Sequence, residues 1–566
     1  MADTNGAQIG LRDVRGWIAE ILLPDSGFIK LSIVYGIAIS LLSLATPISV
    51  QLLINSVANT ALPAPLFTLA AILFILLLIA VSLSALRIHL MALFERRVFA
   101  RIAAEITLRA VHAQNPFFTD ERRGDLFNRY FDLITVQKAL PSLLIGGFTI
   151  LLQAFVGLSV TSFYHPFFLT FNIVLVICVA LIWQVGVTGG IRSAVGLSHA
   201  KHEMARWLES VGSSNGFYKS SRHLSFAMDR SETMTASYVS AHRRHFRFTF
   251  TQTLAFMLLY ATASAALLAL GGWLIIQNQL SIGQLVAAEL ILSGVFYGIS
   301  QLGTYIEAFY DLSASLEELS LLYAIPQERP SGPAGHRPGD GALQLNAVVA
   351  GDDRFDFSVA SGEQLVAVAE PEAQQALAFL LKRHIHPTRG MVMVGGGDLE
   401  AFDMYLLRSD VVVLDRPSIV EVTIREFLRL AQPDSAPSDL MAAIKLVGLE
   451  ARIAQLPNGL DTSLSGSCRP LLIDEVMALK LAAALLRRPV LLFLSPLYDM
   501  LPAETLAAAF ARLKEMGTTV IALTHRPQSL ALDGYLWIGR HKQERVESAE
   551  ILARRLRGEE ADALSR

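Results

Sequence analysis

The chain has 566 residues, 53% of them hydrophobic and only 17% charged. A water-soluble protein carries about a quarter charged residues, so an ordinary soluble enzyme is excluded. A net charge of −3 gives no footprint for nucleic acid, and the two distant cysteines, Cys178 and Cys468, supply neither a disulfide nor a metal framework.

The opening MADTNGAQIG lacks the basic and apolar regions of a cleaved signal, so targeting is expected to rest on membrane helices. Residues 1–27 are read as an N-terminal interfacial segment. Within them LRDVRGWIAEILL places Trp17, Ile18, Ile21 and Leu22 on one apolar face; a disordered tail is the alternative. Residues 28–324 are read as a six-helix transmembrane domain. A bilayer core needs roughly 20 mostly apolar residues per helix. Spans are expected over 28–57, 65–94, 139–163, 166–187, 250–276 and 282–311, with a kink at Pro47 in the first.

The connections set the direction. Arg96, Arg97, Arg101, Arg109, Arg122, Arg123 and Arg129 follow the second span. Arg192, Lys201, Arg206, Lys219, Arg222, Arg230, Arg243, Arg244 and Arg247 follow the fourth. The other connections, NTALPAP, YH and QNQLS, carry no Lys or Arg. The positive-inside rule places the long connections and both termini in the cytoplasm. Their helical patterning predicts membrane helices that continue into the cytosol and turn near NPFFTDERRGDLFNRYFD and LESVGSSNGFYKSSRH.

In the sixth span Glu289, Ser293, Tyr297, Ser300 and Thr304 recur at helical spacing. A carboxylate in an apolar span is costly and marks function by default. Two readings stay open: the stripe lines a translocation path, or it packs against a neighbouring helix.

Residues 325–341, rich in Pro and Gly, read as a linker. In residues 342–566 the apolar runs QLVAVA, DVVVL, VLLFLS, TTVIAL and YLWI read as strands. Helical patterns fall around 371–383, 421–431, 438–448, 474–487 and 502–516. Such alternation predicts a mostly parallel sheet covered by helices. The expected fold is a membrane α-helical bundle followed by a cytosolic α/β domain.

This organisation resembles an exporter-type ABC half-transporter over nearly the whole chain. PFF…RRGDLFNR (Pro116 to Arg129) resembles the first intracellular segment, and GQLVAAELILSGVFYGISQLGTYIEAFYDL the sixth helix of the type I secretion branch. LPNGLDTSL, LLRRPVLLFL and TVIALTHR match the ATPase-domain pattern in spacing.

The chemical positions depart from that pattern. A working phosphate loop, GxxxxGK[ST], cradles phosphate in backbone N–H groups, with a lysine on the β/γ oxygens and a hydroxyl on magnesium. In ungapped register its glycines fall on Glu370 and Gln375, its lysine on Ala376 and its Ser/Thr on Leu377. The Q-loop glutamine falls on Asp415, the Walker B aspartate on Ser495 and the catalytic glutamate on Pro496. The LSGGQ signature falls on Leu471, Leu472, Ile473, Asp474 and Glu475, while LSGS (Leu464 to Ser467) lies about seven residues too early. Only the switch histidine remains, as His525. Glu370 and Glu372 add negative charge where phosphate would sit.

The resemblance thus implies a degenerate nucleotide-binding domain. No catalytic residue and no metal ligand set is expected, and ATP hydrolysis by this chain is not expected. No cofactor is expected, with ATP and magnesium entering only if the degenerate reading fails. Three functions are carried: a non-catalytic subunit of an ABC exporter, of the protein or peptide secretion kind, working with an intact ABC partner; a structural or regulatory membrane protein that reuses the exporter fold; and an active exporter using unrecognised nucleotide contacts. The family implies a homo- or heterodimer with another half-transporter, membrane lipid as surroundings, and a periplasmic adaptor and outer-membrane channel as partners. It places the chain in the cytoplasmic (inner) membrane.

Overall fold

A computed structural model describes residues 11–60, 64–114, 125–328 and 335–557. The chain divides into two compact units, one of residues 1–113 with 117–327 and the other of residues 114–116 with 328–566.

The first unit is all helical. After a short α1 (Leu11–Leu22) come α2 (Ser26–Leu42), α3 (Ala45–Thr60), α4 (Ala64–Val111), α5 (Asp132–Pro141), α6 (Phe148–Ser162), α7 (Pro166–Ser213), α8 (Ser221–Ile276) and α9 (Ile282–Tyr323). Among the described residues, six stretches are long and apolar enough to cross a membrane, the first being Leu23–Ile54 and the last Ile282–Tyr323. Helices α4, α7 and α8 run for 48, 48 and 56 residues. At 1.5 Å per residue each exceeds roughly 70 Å, more than twice a bilayer core, so each extends far beyond it. The turn between α7 and α8 falls at Phe217–Lys219. The other expected turn lies largely outside the described residues.

The break in the first span sits at Ser43 and Leu44, where α2 ends and α3 begins. Pro47 explains its position. A proline ring clashes with the carbonyl four residues earlier and offers no N–H to it; here that carbonyl belongs to Ser43. In α1, Val14 is 2% exposed, and Val14, Trp17 and Ile18 pack into the helical core. The side chains of Ile21 and Leu22 lie outside the described residues.

Glycines let the long helices approach. A Cβ on Gly186 would lie 2.0 Å from Nε2 of Gln252, and one on Gly190 would lie 2.2 Å from the Tyr310 ring. The Tyr310 hydroxyl donates to Gln252 Oε1 at 2.8 Å. The small residues of α7 thereby bring α8 and α9 close enough for a buried hydrogen bond.

The second unit is α/β. Its strands are β1 (Leu343–Ala350), β2 (Asp353–Val359), β3 (Gln364–Ala369), β4 (Arg389–Val394), β5 (Gly397–Asp398), β6 (Val411–Leu414), β7 (Leu491–Leu494), β8 (Thr519–Leu523), β9 (Gly534–Ile538) and β10 (Gln543–Val546). The helices that position the site are α10 (Pro371–Leu381), α11 (Met404–Asp410), α12 (Ile424–Ala431), α13 (Pro437–Leu446), α14 (Glu450–Gln455), α15 (Ile473–Arg487), α16 (Ala503–Glu515) and α17 (Ala549–Leu556). A six-stranded sheet runs β10-β9-β3-β8-β7-β6, parallel except for β10. A smaller antiparallel sheet runs β2-β1-β4-β5.

The apolar runs of the large sheet reflect burial on both faces. Along β3, Val366 and Val368 face one core with Leu479 and Leu492, while Leu365 and Ala367 face another with Leu377 and Phe493. Side chains alternate faces with period two, so both phases must be apolar.

Candidate functional site

In an open α/β sheet ligands bind outside the carboxyl ends of the strands. Four such ends are relevant: Ala369 of β3, Leu414 of β6, Leu494 of β7 and Leu523 of β8. The residues after them are Glu370, Asp415, Ser495 and Thr524 with His525.

The β3 end is unusual because almost no loop follows it. Strand β3 stops at Ala369, Glu370 caps α10, and Pro371 is already helical. Proline favours this first helical position because its missing N–H is not needed there and its φ is preset. The window 371–377 is therefore helix. Gln375 is exposed, Ala376 packs against the core and Leu377 is fully buried. The Glu370 carboxylate accepts from the backbone N–H of Arg540 at 3.0 Å. Arg540 in turn pairs with Asp353 at 2.7 Å. A concave backbone cradle for phosphate needs several non-helical residues between strand and helix, and this turn has one.

After β6, Asp415 pairs with Lys382 at 2.7 Å. Lys480 donates to the carbonyl oxygens of Arg416 and Ser418, holding the segment that follows. After β7, Ser495 is 1% exposed; its N–H donates to the Leu414 carbonyl at 3.0 Å. Its Oγ, like the Tyr498 hydroxyl, is buried without a hydrogen-bond partner among the described residues. Burial, reinforced by nearby Asp415, raises the Tyr498 phenol above its ordinary range. Pro496 opens a short 3-10 turn, Pro496–Met500; it carries no group that could act as a base.

Asp499 in that turn was not singled out in the sequence. Its carboxylate accepts from the Thr524 hydroxyl at 2.6 Å and from the His525 backbone N–H at 2.7 Å. The imidazole of His525 is exposed. Asp499 thus ties the β7 turn to the β8 turn. The only local signal was an acid five residues beyond a buried strand, a weak cue among 50 acidic residues.

The stretch Leu471, Leu472, Ile473, Asp474 and Glu475 spans the start of α15. A helix N-terminus attracts anions through free N–H groups. Here Glu475 turns back to accept the Leu472 N–H at 2.8 Å and pairs with Arg452 at 2.9 Å. The chain's own carboxylates, Asp474 and Glu475, occupy the first turn. LSGS lies outside α15, in a turn where the Gly466 N–H donates to Glu421 at 3.1 Å.

A half-buried histidine, His384, lies near the Lys382–Asp415 pair. Burial first, then the cations Arg408 and Lys382, pull the His384 imidazole from 6.5 down to about 4. The unfolded chain then binds a proton that the folded chain refuses. Stability is fully present above pH 6.5 and falls as pH drops from 6.5 towards 4, by at most about 1.4 kcal/mol per pH unit. Urea midpoints across this window should show a shallower loss for His384→Leu than for the wild type.

In the first unit, Glu289, Ser293, Tyr297 and Thr304 are exposed on α9 and Ser300 is half-buried. The opposite face, with Ala288, Leu292, Val295 and Ile299, is buried in the helical core. Ser293 donates to Glu289 at 3.1 Å. The stripe is therefore one polar face left uncovered within the single chain.

No family model matches the chain. It is 24% identical over 541 residues to a leukotoxin translocation ATP-binding protein of Mannheimia glucosida, covering 92% of this chain and 75% of that protein. A toxin RTX-III translocation ATP-binding protein of Actinobacillus pleuropneumoniae is 24% identical over 537 residues, covering 92% and 74%. In structure the chain is similar to a bacterial Atm1-family ABC exporter solved with ATP bound. That match has a TM-score of 0.78 and 17% identity, and covers 93% of this chain and 96% of the other. Six apolar helical stretches among the described residues and an α/β unit with this sheet give the chain the ABC exporter fold, and in sequence it is similar over most of its length to toxin translocation ATP-binding proteins.

Proposed function

We propose that the chain is a non-catalytic membrane subunit of an ABC exporter, of the protein or peptide secretion kind, energised by an intact ABC partner. One observation carries this reading: β3 passes into α10 through Glu370 alone, with Ala376 and Leu377 turned into the core. The positions that would hold phosphate are thus built into a helix. Ser495 and Pro496 supply neither carboxylate of a magnesium and base pair. The Glu475 carboxylate on the first turn of α15 disfavours a phosphate arriving from a partner.

In the family each ATP site combines the phosphate loop of one chain with the signature of the other. A homodimer of this chain would have no usable site, so an intact half-transporter is the fitting partner. The termini then face the cytoplasm, and an adaptor and an outer-membrane channel are the partners the secretion branch implies. The relatives' names include ATP binding, which favours the contrary reading of an active exporter. Purification in mild detergent followed by mass spectrometry of whatever stays bound separates the two. A stoichiometric ABC partner is expected; turnover by the chain alone, abolished by no partner's removal, would overturn the proposal.

The α9 stripe fits the translocation path of this exporter. Single cysteines at Ser293, Tyr297 and Thr304 should react with a small water-soluble thiol reagent in membranes. Uniform protection along the stripe would assign it to helix packing.

A further inference from the structure

Seven charged or titratable side chains converge in the first unit. They come from the 3-10 segment Asp125–Phe131, from α5, from α7 and from α9. Arg129 meets Glu318 Oε2 at 2.6 Å. Asp132 holds Lys201 at 2.8 Å and His202 Nε2 at 2.6 Å. His199 Nε2 lies 3.1 Å from Glu317 Oε2 and 3.7 Å from Glu318 Oε1. His202 Nε2 lies 3.9 Å from Glu318 Oε1. All these residues fall outside the spans expected for the membrane, in the helical extensions.

We propose that His199, Glu317 and Glu318 form a divalent metal site, with Zn²⁺ the best fit, that ties α7 to α9. The three donor atoms lie within 4.8 Å of one another. Zinc binds imidazole nitrogen and carboxylate oxygen at about 2.0–2.2 Å, which places tetrahedral ligands about 3.3–3.6 Å apart. The two distances from His199 bracket that edge, so small side-chain shifts suffice.

A second observation points to a ligand. Glu318 is 0% exposed; its Oε2 is ion-paired with Arg129, while its Oε1 accepts no hydrogen bond among the described residues. A buried carboxylate in that state is costly. Arg129 lies against Oε2, while Oε1 faces the two histidines. A cation between His199 and Oε1 would satisfy it.

Charge and access agree. Glu317, Glu318 and Asp132 carry three negative charges against two positive on Arg129 and Lys201, leaving one negative charge with neutral histidines. The His199 side chain is 48% exposed, which opens a path for the ion and a place for water as fourth ligand. Imidazole with carboxylates suits zinc better than magnesium or calcium, which prefer all-oxygen shells.

The test uses the untagged full-length chain in detergent, stripped with chelator and titrated with Zn²⁺ against a chromophoric zinc indicator. One equivalent should bind with micromolar or tighter affinity and raise the melting temperature. His199→Ala removes a half-exposed group and should fold; it should weaken binding at least tenfold, the least that losing even an outer partner costs. The isosteric Glu317→Gln should do the same, so the test does not hang on one variant. No zinc binding by the wild type up to 100-fold above the indicator's range, or equal binding by the wild type and both variants, would overturn the site.

Discussion

With millimolar ATP and magnesium, the purified full-length chain is expected to melt at its nucleotide-free temperature. The reason is cumulative. Each charge-assisted hydrogen bond contributes roughly 1.5–3 kcal/mol. The lysine position is Ala376, the hydroxyl position is buried Leu377, and the backbone around them is already helical. Losing several such contacts removes several decades of affinity at about 1.4 kcal/mol per tenfold. Glu372 in the first turn of α10 adds repulsion. A ligand at 100 times its Kd would stabilise the fold by about 2.7 kcal/mol, a shift that is easy to measure. Gln375→Gly with Ala376→Lys should not restore hydrolysis. A lysine at 376 would start from a site packed against the core, and Ser495 and Pro496 would still supply no magnesium ligand pair and no base. A clear magnesium-dependent rise in melting temperature for the unmodified chain would overturn the non-catalytic reading.

Arg87→Leu should be the most damaging single substitution in the helical unit. Arg87 is 2% exposed within the second membrane stretch. Its Nε donates to Ser32 Oγ at 3.1 Å, and its terminal nitrogens donate to Thr149 Oγ1 and to the Leu144 carbonyl. Leu144 lies in a π-helical turn, Ser142–Gly147, between α5 and α6. Such a turn displaces carbonyls from the ordinary i to i−4 ladder, and the guanidinium serves one of them. Leucine matches much of the volume but leaves two hydroxyls and a carbonyl without their donor. With hydrogen bonds to charged groups worth roughly 1.5–3 kcal/mol each, the loss is several kcal/mol. Thermal unfolding in detergent should show a large drop for Arg87→Leu. Arg87→Lys should retain part of the stability, because an ammonium cannot span three acceptors set in a fork. An unchanged melting temperature for Arg87→Leu would mean the network contributes nothing net.

Local pattern determined much of this protein. QLVAVA, DVVVL and TTVIAL are legible because strands buried on both faces need apolar residues at every position, and the observed β3, β6 and β8 fall on them. The helix expected over 371–383 forms over Pro371–Leu381, and that over 474–487 over Ile473–Arg487. Pro47 marked the break in the first span, whose place four residues earlier follows from ring sterics. The phosphate-site positions were legible as identities, since side-chain chemistry is written in the sequence. Their burial and their inclusion in a helix were not.

Tertiary structure decided the rest. Strands β1, β2 and β4 escaped notice because they form an antiparallel sheet with exposed positions, and nothing local says that β1 pairs with both others. Nothing local marks Arg87, because Ser32, Leu144 and Thr149 come together around it only in the fold. Asp132, His199 and Glu318 are separated by 67 and 119 residues, as their numbers give. Periodicity reports only neighbours two to four positions away, which fixes the face a residue takes. What it meets on that face depends on which distant helices pack there, and only the folded chain brings His199 and His202 within 4 Å of Glu318 and His202 onto Asp132.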